Sequence, residues 1–487
     1  MSFYKNLDFS CLIRFSRAPF DKIKFHPARV VIPGRHGKIR RHGRETQEQE
    51  EASMRKESLL GSAGGVSRRT VLKTGAGLAA VGAASAFPAP FVRAAKTFKI
   101  GFVSPRTGPL AVFAEADDFT MAQVKEAIGP GIMVDGVQIP VEILYKDSQS
   151  NSNRAAEAAS ELILNDEVDM IVAASTPATT NPVADQCEVN GVPCVTNDTP
   201  WQPHFFGRGG DPATGFEWTY HFFWGLEDII GAFTSLWSTL ETNKVVGALW
   251  PNDSDGNAWG DPKIGFPPVL AEKGFPLVDL GRFQSPADDF TSYLIEFKGK
   301  GADIVTGVVP PPDFANFWAQ AGQQGYKPKI ATVAKASEFP AAIEAIGDRA
   351  EGLSVEVWWS PVHPFSSGLT GQSSKDFADA FTAATGKPWS MPMAFKHALF
   401  EVAIDAMKRS GGPGNPEALR DAIAATDYAS IVGPVNFQTG PVPNISKTPL
   451  VTGQWQRTAA GKPLELVIVD NAMAPTIPTQ AKLLPLP

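Results

Sequence analysis

Phe98-Lys99-Ile100-Gly101-Phe102-Val103 is a short apolar run that ends in Ser104-Pro105-Arg106-Thr107-Gly108-Pro109, a loop punctuated by Pro and Gly. A run of this length without polar alternation reads as a strand buried on both faces. Downstream the pattern repeats in Val141-Glu142-Ile143-Leu144-Tyr145, in Val168 to Ala173 and in Pro193 to Thr196, with helical spacing over Asp118 to Ile128 and Asn153 to Leu164 and an N-cap at Asn153. Strand, helix and strand in steady alternation predict a parallel sheet covered on both sides. After a loop-rich stretch from Trp201 to Thr219 the alternation restarts: a helix over Leu226 to Leu240, then strands at Lys244 to Trp250, Leu277 to Leu280, Asp303 to Val309 and Ile330 to Val333. A second parallel sheet is expected there. Gly352 to Val357 opens a further segment with helices near Ser374 to Thr385 and Ala394 to Lys408, and the Pro- and Gly-rich part from Gly433 reads as short antiparallel strands.

Upstream of this body the chain changes character. Residues 1–95 carry 17 basic and 7 acidic side chains, a charge of +10, which leaves 27 basic and 44 acidic side chains, −17, for 96–487. Ser67-Arg68-Arg69-Thr70-Val71-Leu72-Lys73 precedes nineteen uncharged residues rich in Gly and Ala, Thr74 to Val92, and then Arg93-Ala94-Ala95. That order is a charged start, a mildly apolar middle and a small-residue cleavage point, and it predicts a signal peptide over 67–95 cut after Ala94. The paired arginines resemble a twin-arginine export signal, with Val71 where that pattern usually has Phe. Residues 1–66 read as an N-terminal extension, with Met54 as the expected true start. No membrane insertion is expected once the signal is removed.

At 43% hydrophobic and 20% charged the 487 residues are neither a disordered polymer nor a membrane bundle. The acidic body disfavours nucleic acid and anionic membranes as partners. Cys187 and Cys194 are the two cysteines of the exported part, and an oxidising compartment predicts a bridge between them, two buried free thiols being the other reading. His204, His221, His363 and His397 are scattered, so no metal site is expected.

In open parallel sheets ligands bind beyond the carboxyl ends of the strands. Here those ends, Ser104 to Leu110, Ser175 to Asn181, Asn197 to Trp201, Pro251 to Trp259, Pro310 to Pro312 and Lys335 to Ser337, are rich in hydroxyl, amide and Trp side chains. They suit a small polar molecule with an apolar or aromatic part. The segments Phe98 to Pro109, Thr179-Thr180-Asn181-Pro182-Val183-Ala184-Asp185, Gly191-Val192-Pro193, Asp289-Phe290-Thr291 and Ala350-Glu351-Gly352-Leu353, in that order, resemble the periplasmic substrate-binding proteins of branched-chain amino acid ABC transporters. The resemblance implies an α/β, type I periplasmic binding fold: two Rossmann-like parallel-sheet lobes joined by three crossover strands, with a ligand cleft between them. It puts 96–218 and 354–432 in one lobe and 219–353 and 433–487 in the other. The function it implies is capture of an amino acid or related amide or carboxylate for an inner-membrane ABC permease; a sensory module of the same fold is the alternative, and a secreted α/β enzyme a more distant one.

The resemblance also implies ligand positions: Phe113 over the cleft, Ala178, Thr179 and Thr180 on one loop, Asp198, Thr199 and Trp201 on a second, and Trp259 from the other lobe. Two departures matter. Pro177 stands where a carboxylate-binding Ser is usual and offers neither hydroxyl nor N–H, and Lys335 lies near the position where an acid usually meets the ligand ammonium. Either an amino acid is held by rearranged polar groups, or the ligand is an acid, amide or aromatic acid with Lys335 or Arg106 as counter-ion. Trp201, Trp218, Trp259, Trp358 and Trp359 are the aromatic wall from which some face the ligand and the rest the core. Against an enzyme, the chain has no G-x-G-x-x-G after a strand, no G-x-S-x-G, no His-Glu-x-x-His and no phosphate-binding loop; no cofactor is expected. Asn252-Asp253-Ser254-Asp255-Gly256-Asn257 resembles the start of a calcium loop but has Ile264 at the closing Glu position, so it reads as a polar interlobe loop.

Overall fold

Six strands form the first sheet: β1 (Phe98–Ser104), β2 (Val141–Asp147), β3 (Met170–Ala174), β4 (Cys194–Asn197), β5 (Thr219–Phe222) and, much later in the chain, Ile445–Ser446. A computed structural model describes residues 96–459 and 461–487, so the extension 1–66 and the signal-like segment 67–95 lie outside the described residues. β1 is an interior strand beside the edge strand β2, pairing in parallel with β2 from Phe98 opposite Val141 and with β3 from Ile100 opposite Met170. Its two faces go to different cores. Phe98, Ile100 and Phe102 pack with Met121, Val124 and Ile128 of the helix Asp117–Ile128, whereas Val103 joins Ala155, Ala158 and Leu162 of the helix Ser152–Leu164. This two-sided burial explains an apolar run broken only by Lys99, whose ammonium reaches the Asp166 carbonyl. The latter helix is capped by Asn151, whose side chain accepts from Arg154 N–H at 3.0 Å, two residues before the expected Asn153.

The second sheet contains β6 (Val246–Pro251), β7 (Leu277–Phe283), β8 (Ile304–Val309), β9 (Ile330–Lys335) and β10 (Ser354–Val357). The late strand Ile445–Ser446 is β11, and β12 (Val451–Arg457) and β13 (Leu464–Asp470) complete the series. In the order β13-β12-β10-β9-β8-β6-β7, the strands from β10 to β7 pair in parallel, and β12 and β13 add as an antiparallel edge. The core of this lobe is aromatic: Phe233, Trp237, Trp250, Trp259 and Phe266 sit with ring centroids 5.3–6.4 Å apart.

Strand pairing moves the lobe boundaries. β5 pairs with β4, and Ile445 of β11 pairs with His221 of β5, so 219–222 and 445–446 belong to the first sheet, not to the second lobe. β10 bonds to β9 and β12 and so belongs to the second. The crossings therefore fall at about 223–225 and just after 357, within ten residues of the expected 218 and 353, and at 447–450, later than the expected 432. Local patterning names a strand but not its neighbour. Pairing is a long-range choice, which is why the third crossing is displaced most.

Cys187, on the helix Pro177–Asn190, and Cys194, on β4, are buried free thiols in the structure, not the expected bridge. They are two members of an apolar cluster with Val183, Ala184 and Val195's neighbouring strand residues Ile171 and Ala173, and they serve it as small hydrophobes. Burial pushes the Cys187 thiol well up, and its hydrogen bond with Cys194 adds to this.

Candidate functional site

At the carboxyl ends of the two sheets, loops from both lobes and two of the crossings close over a cavity of about 30 Å³. From the first lobe come Phe113, in the short turn Ala111–Ala114 beyond β1, Thr176 beyond β3, and Asp198 and Pro200 beyond β4. The second lobe supplies Asp255 and Trp259 on the helix Ser254–Trp259 after β6, Val308 on β8, Lys335 closing β9, Glu338 just past it and Glu356 on β10. Phe223, Trp224 and Trp358 lie in the crossings. The Phe113 ring meets Phe339 of the second lobe edge to face at 4.8 Å, so the lobes touch beside the cavity. Its volume is about that of one water molecule, so an organic solute enters only when the lobes part.

The charges are arranged unevenly. Lys335 Nζ lies 2.6 Å from Asp255 Oδ2 and 3.4 Å from Asp253 Oδ2, and its own N–H donates to Glu338 Oε1 at 2.6 Å. Burial works against the Lys335 ammonium, but the two aspartates outweigh it and hold its pKa above the ordinary lysine value. Burial pushes the carboxyls of Glu338 and Glu356 up, and the two are hydrogen-bonded to each other, the arrangement of a pair sharing a proton. Asp198 is 6% exposed, and neither of its carboxylate oxygens has a hydrogen-bond partner. Burial lifts its pKa well above the usual range, against the pull of Lys396 and with the push of Glu338 and Asp117.

Further unpartnered buried atoms belong to the same walls: Asp255 Oδ1, Glu356 Oε2 and the indole Nε1 of Trp224, Trp259 and Trp358. Buried polar groups in folded proteins are nearly always paired, and seven of the nineteen unpartnered atoms among the described residues belong to residues lining this one cavity, which makes it the candidate site. Asp198 and Lys335 are also held at φ of +60° and +61°, an uncommon conformation that costs of order 1–3 kcal/mol and clusters at functional sites.

Four of the ten expected ligand residues reach this cavity: Phe113, Asp198, Trp259 and Lys335. Six do not. Arg106 has a half-exposed side chain that pairs with Asp118 at 2.8 Å and lies over Tyr145, facing solvent. Ala178, Thr179 and Thr180 occupy the first turn of the helix Pro177–Asn190, where the Ala178 carbonyl accepts from Ser152 Oγ at 2.6 Å and the Thr179 hydroxyl folds back to the Thr176 carbonyl. Thr199 bonds to the Ser175 carbonyl at 3.1 Å, and Trp201 donates to Glu227 at 3.1 Å. The side chains of Arg106, Thr179, Thr199 and Trp201 are thus engaged within the protein, Ala178 takes part only through its carbonyl, and the buried Thr180 hydroxyl has no partner but does not line the cavity. Of the remaining indoles, Trp358 lines the cavity, Trp359 donates to Ser374 at 3.1 Å, and Trp218 lies under the Arg420 guanidinium.

Sequence reasoning missed Phe223, Trp224, Glu338 and Glu356 as lining residues, and had Thr176 and Asp255 only as members of two strand-end segments, without singling them out. A signal existed for Glu356, an acid between two valines in a strand expected to be buried, since a fully buried charge needs a reason. Asp253 caps the helix Ser254–Trp259 through Gly256 N–H at 2.7 Å. Among the described residues no group of three or more His, Cys, Asp or Glu is placed to hold a metal ion.

A larger groove, about 680 Å³, lies beside the β12–β13 edge, lined among others by Trp389, Trp455, Arg457 and Glu465. None of its lining residues has an unpartnered buried polar atom among the described residues, so the cleft is the better candidate despite its size.

The periplasmic binding protein family profile matches residues 97–444, and the chain belongs to that family. Among solved structures it is similar to a leucine-binding protein from Thermotoga maritima (21% identical, TM-score 0.61, covering 77% of this chain and 99% of that one). It is also similar to a branched-chain amino acid transporter substrate-binding protein from Streptococcus pneumoniae in complex with isoleucine (17%, 0.60, 77% and 100%). A third is an ABC transporter solute-binding protein from Rhodopseudomonas palustris in complex with 3,4-dihydroxybenzoic acid (19%, 0.61, 80% and 99%). These likenesses share the two-lobed fold described above. Among the described residues no helix is long and apolar enough to cross a membrane.

Proposed function

We propose that this protein is the exported, periplasmic solute-binding component of an ABC import system, capturing a small polar organic molecule between its lobes and delivering it to an inner-membrane permease. The observation that carries this reading is the enclosed cavity at the carboxyl ends of both sheets, with unpartnered buried polar groups contributed by both lobes. A ligand touching both lobes binds the closed form better than the open one, and that difference shifts the population toward closure. The closed form is the shape a permease reads, and no bond need be made or broken. The similar structures hold an amino acid in one case and an aromatic acid in another, which is the chemical range a first screen should span.

The test is thermal unfolding against a panel of amino acids, amides, aromatic acids and amines. A ligand at about a hundred times its Kd adds roughly 2.7 kcal/mol of stability. A saturable shift with one class, accompanied by a smaller radius of gyration in solution scattering, is the expected result. A folded protein that responds to no member of the panel would return an enzymatic or partner-binding role to consideration.

A further inference from the structure

We infer that the cleft takes a protonated organic amine without a carboxylate, with Asp198 as its counter-ion and Phe113, Phe223, Trp224, Trp259 and Trp358 as its aromatic enclosure; this rests on the solute-binding reading above. The first support is Asp198 itself. Its carboxylate is more than nine-tenths buried, lines the cavity and receives no hydrogen bond at either oxygen. Two vacant acceptors on one buried carboxylate fit a donor with several N–H groups, such as an alkylammonium. The cation that acts on Asp198 through space, Lys396, is already engaged by Asp117 at 2.8 Å, by Ser104 Oγ at 2.8 Å and by the Phe113 carbonyl.

The second support is the sign of the cavity. Asp198, Asp255, Glu338 and Glu356 line it against the single ammonium of Lys335. Even with Asp198 protonated in the free protein and one proton shared by Glu338 and Glu356, Asp255 and the glutamate pair outnumber the single lysine. A ligand carboxylate would add to that excess in a water-excluded space, where like charges repel most strongly. It would also find no free cation, because Lys335 is held by two aspartates and Arg106 faces solvent.

The third is the wall. Rings from both lobes and both neighbouring crossings surround the carboxylate, and aromatic faces attract cations, more so when desolvated. An amine with a small apolar body satisfies Asp198 at one end and this wall along its length.

The experiment is calorimetric titration of the purified full protein with phenethylammonium, phenylacetate and phenylalanine, which differ in their charged end, and with isobutylammonium, isovalerate and leucine as a smaller set. The expected result is saturable binding of an ammonium member and at least tenfold weaker binding of its acid and amino acid partners. Asp198→Asn, checked for folding by its thermal transition, should weaken the amine at least tenfold. Binding of an acid or amino acid as tight as that of the matching amine would overturn the inference and leave the solute-binding reading standing. Amine binding that survives Asp198→Asn unchanged would do the same. Silence across both sets would count against both readings, and the wild-type comparison needs no variant to fold.

Discussion

Lys335 and Asp255 form a buried ion pair, Nζ to Oδ2 at 2.6 Å, with both side chains less than a tenth exposed. The contact removes the lysine from the role a cation in a binding cleft suggests, because its charge is already answered. Lys335→Ala should therefore act on stability first. Removing the lysine strands the buried Asp255 without compensation; such losses are typically about 3–5 kcal/mol. Replacing both members, Lys335→Met with Asp255→Leu, should recover much of that. Urea unfolding of the single and double variants measures it, and a Lys335→Ala protein as stable as the parent would show that the pair is not formed.

Affinity for an amine should rise with pH. Burial holds the Asp198 carboxyl well above its ordinary range in the free protein, with Lys396 pulling it down and Glu338 and Asp117 pushing it up; Asp255, Glu356 and Lys335 share its cavity. An ammonium seated on Asp198 favours the ionised form, so binding expels a proton. Raising the pH through the free-state pKa removes that competition. Calorimetry in buffers of different ionisation enthalpy reads the proton released, and binding without release would contradict the assignment.

Glu401 gives a pH dependence of stability unrelated to ligand. Burial lifts its pKa from 4.5 to about 7, partly offset by hydrogen bonds from Ile431 N–H, the Ser367 hydroxyl and Leu369 N–H. The native protein thus holds this proton more tightly than the unfolded chain does. Stability contributed by Glu401 is complete below pH 4.5 and falls as the pH climbs to about 7, by at most about 3 kcal/mol. Urea unfolding across that window should show the decline against Glu401→Gln as reference, and identical slopes for the two proteins would refute it.

Gly256 places the helix that carries Asp255 and Trp259. A Cβ at this position would run into the Pro251 carbonyl oxygen, so the helix lies against the end of β6 at a distance no side chain permits. Gly256→Ala must push the helix away, taking Asp255 and Trp259 with it. Ligand affinity should fall at least tenfold, while the loss of stability stays near the 1–3 kcal/mol of ordinary overpacking.

Phe113 and Phe339 hold the closed form across the lobes. Edge-to-face aromatic pairs contribute about 0.5–1.5 kcal/mol beyond their buried area. Phe113→Ala should open the free protein, seen as a larger radius of gyration, and weaken any ligand by roughly the same energy, up to about tenfold.

How much of this was legible beforehand depends on the range of the interaction that decides it. β1, β3, β6, β8 and β9 lie within a few residues of their expected positions, since an apolar run bounded by Gly, Pro and Asn is a local signal. Asp198, Trp259 and Lys335 were legible because a strand's carboxyl end is a local address, and in a parallel sheet such ends converge. Arg106, Thr199 and Trp201 share that address but turn toward Asp118, the Ser175 carbonyl and Glu227, partners that adjacent chain does not name.

The linear sequence by itself determined that this is an α/β chain of two successive parallel sheets, with an acidic body behind a basic N-terminal stretch, because periodicity and composition are properties of neighbours. Only the tertiary structure decided that 445–446 returns to the first sheet, that Cys187 and Cys194 remain thiols in an apolar cluster, and that Lys335 is ion-paired while Asp198 has no partner. The physical reason is the same in each case. Pairing, burial and charge compensation depend on which distant segments meet, and a carboxylate acquires its chemistry from the water it has lost and the partners it has failed to find.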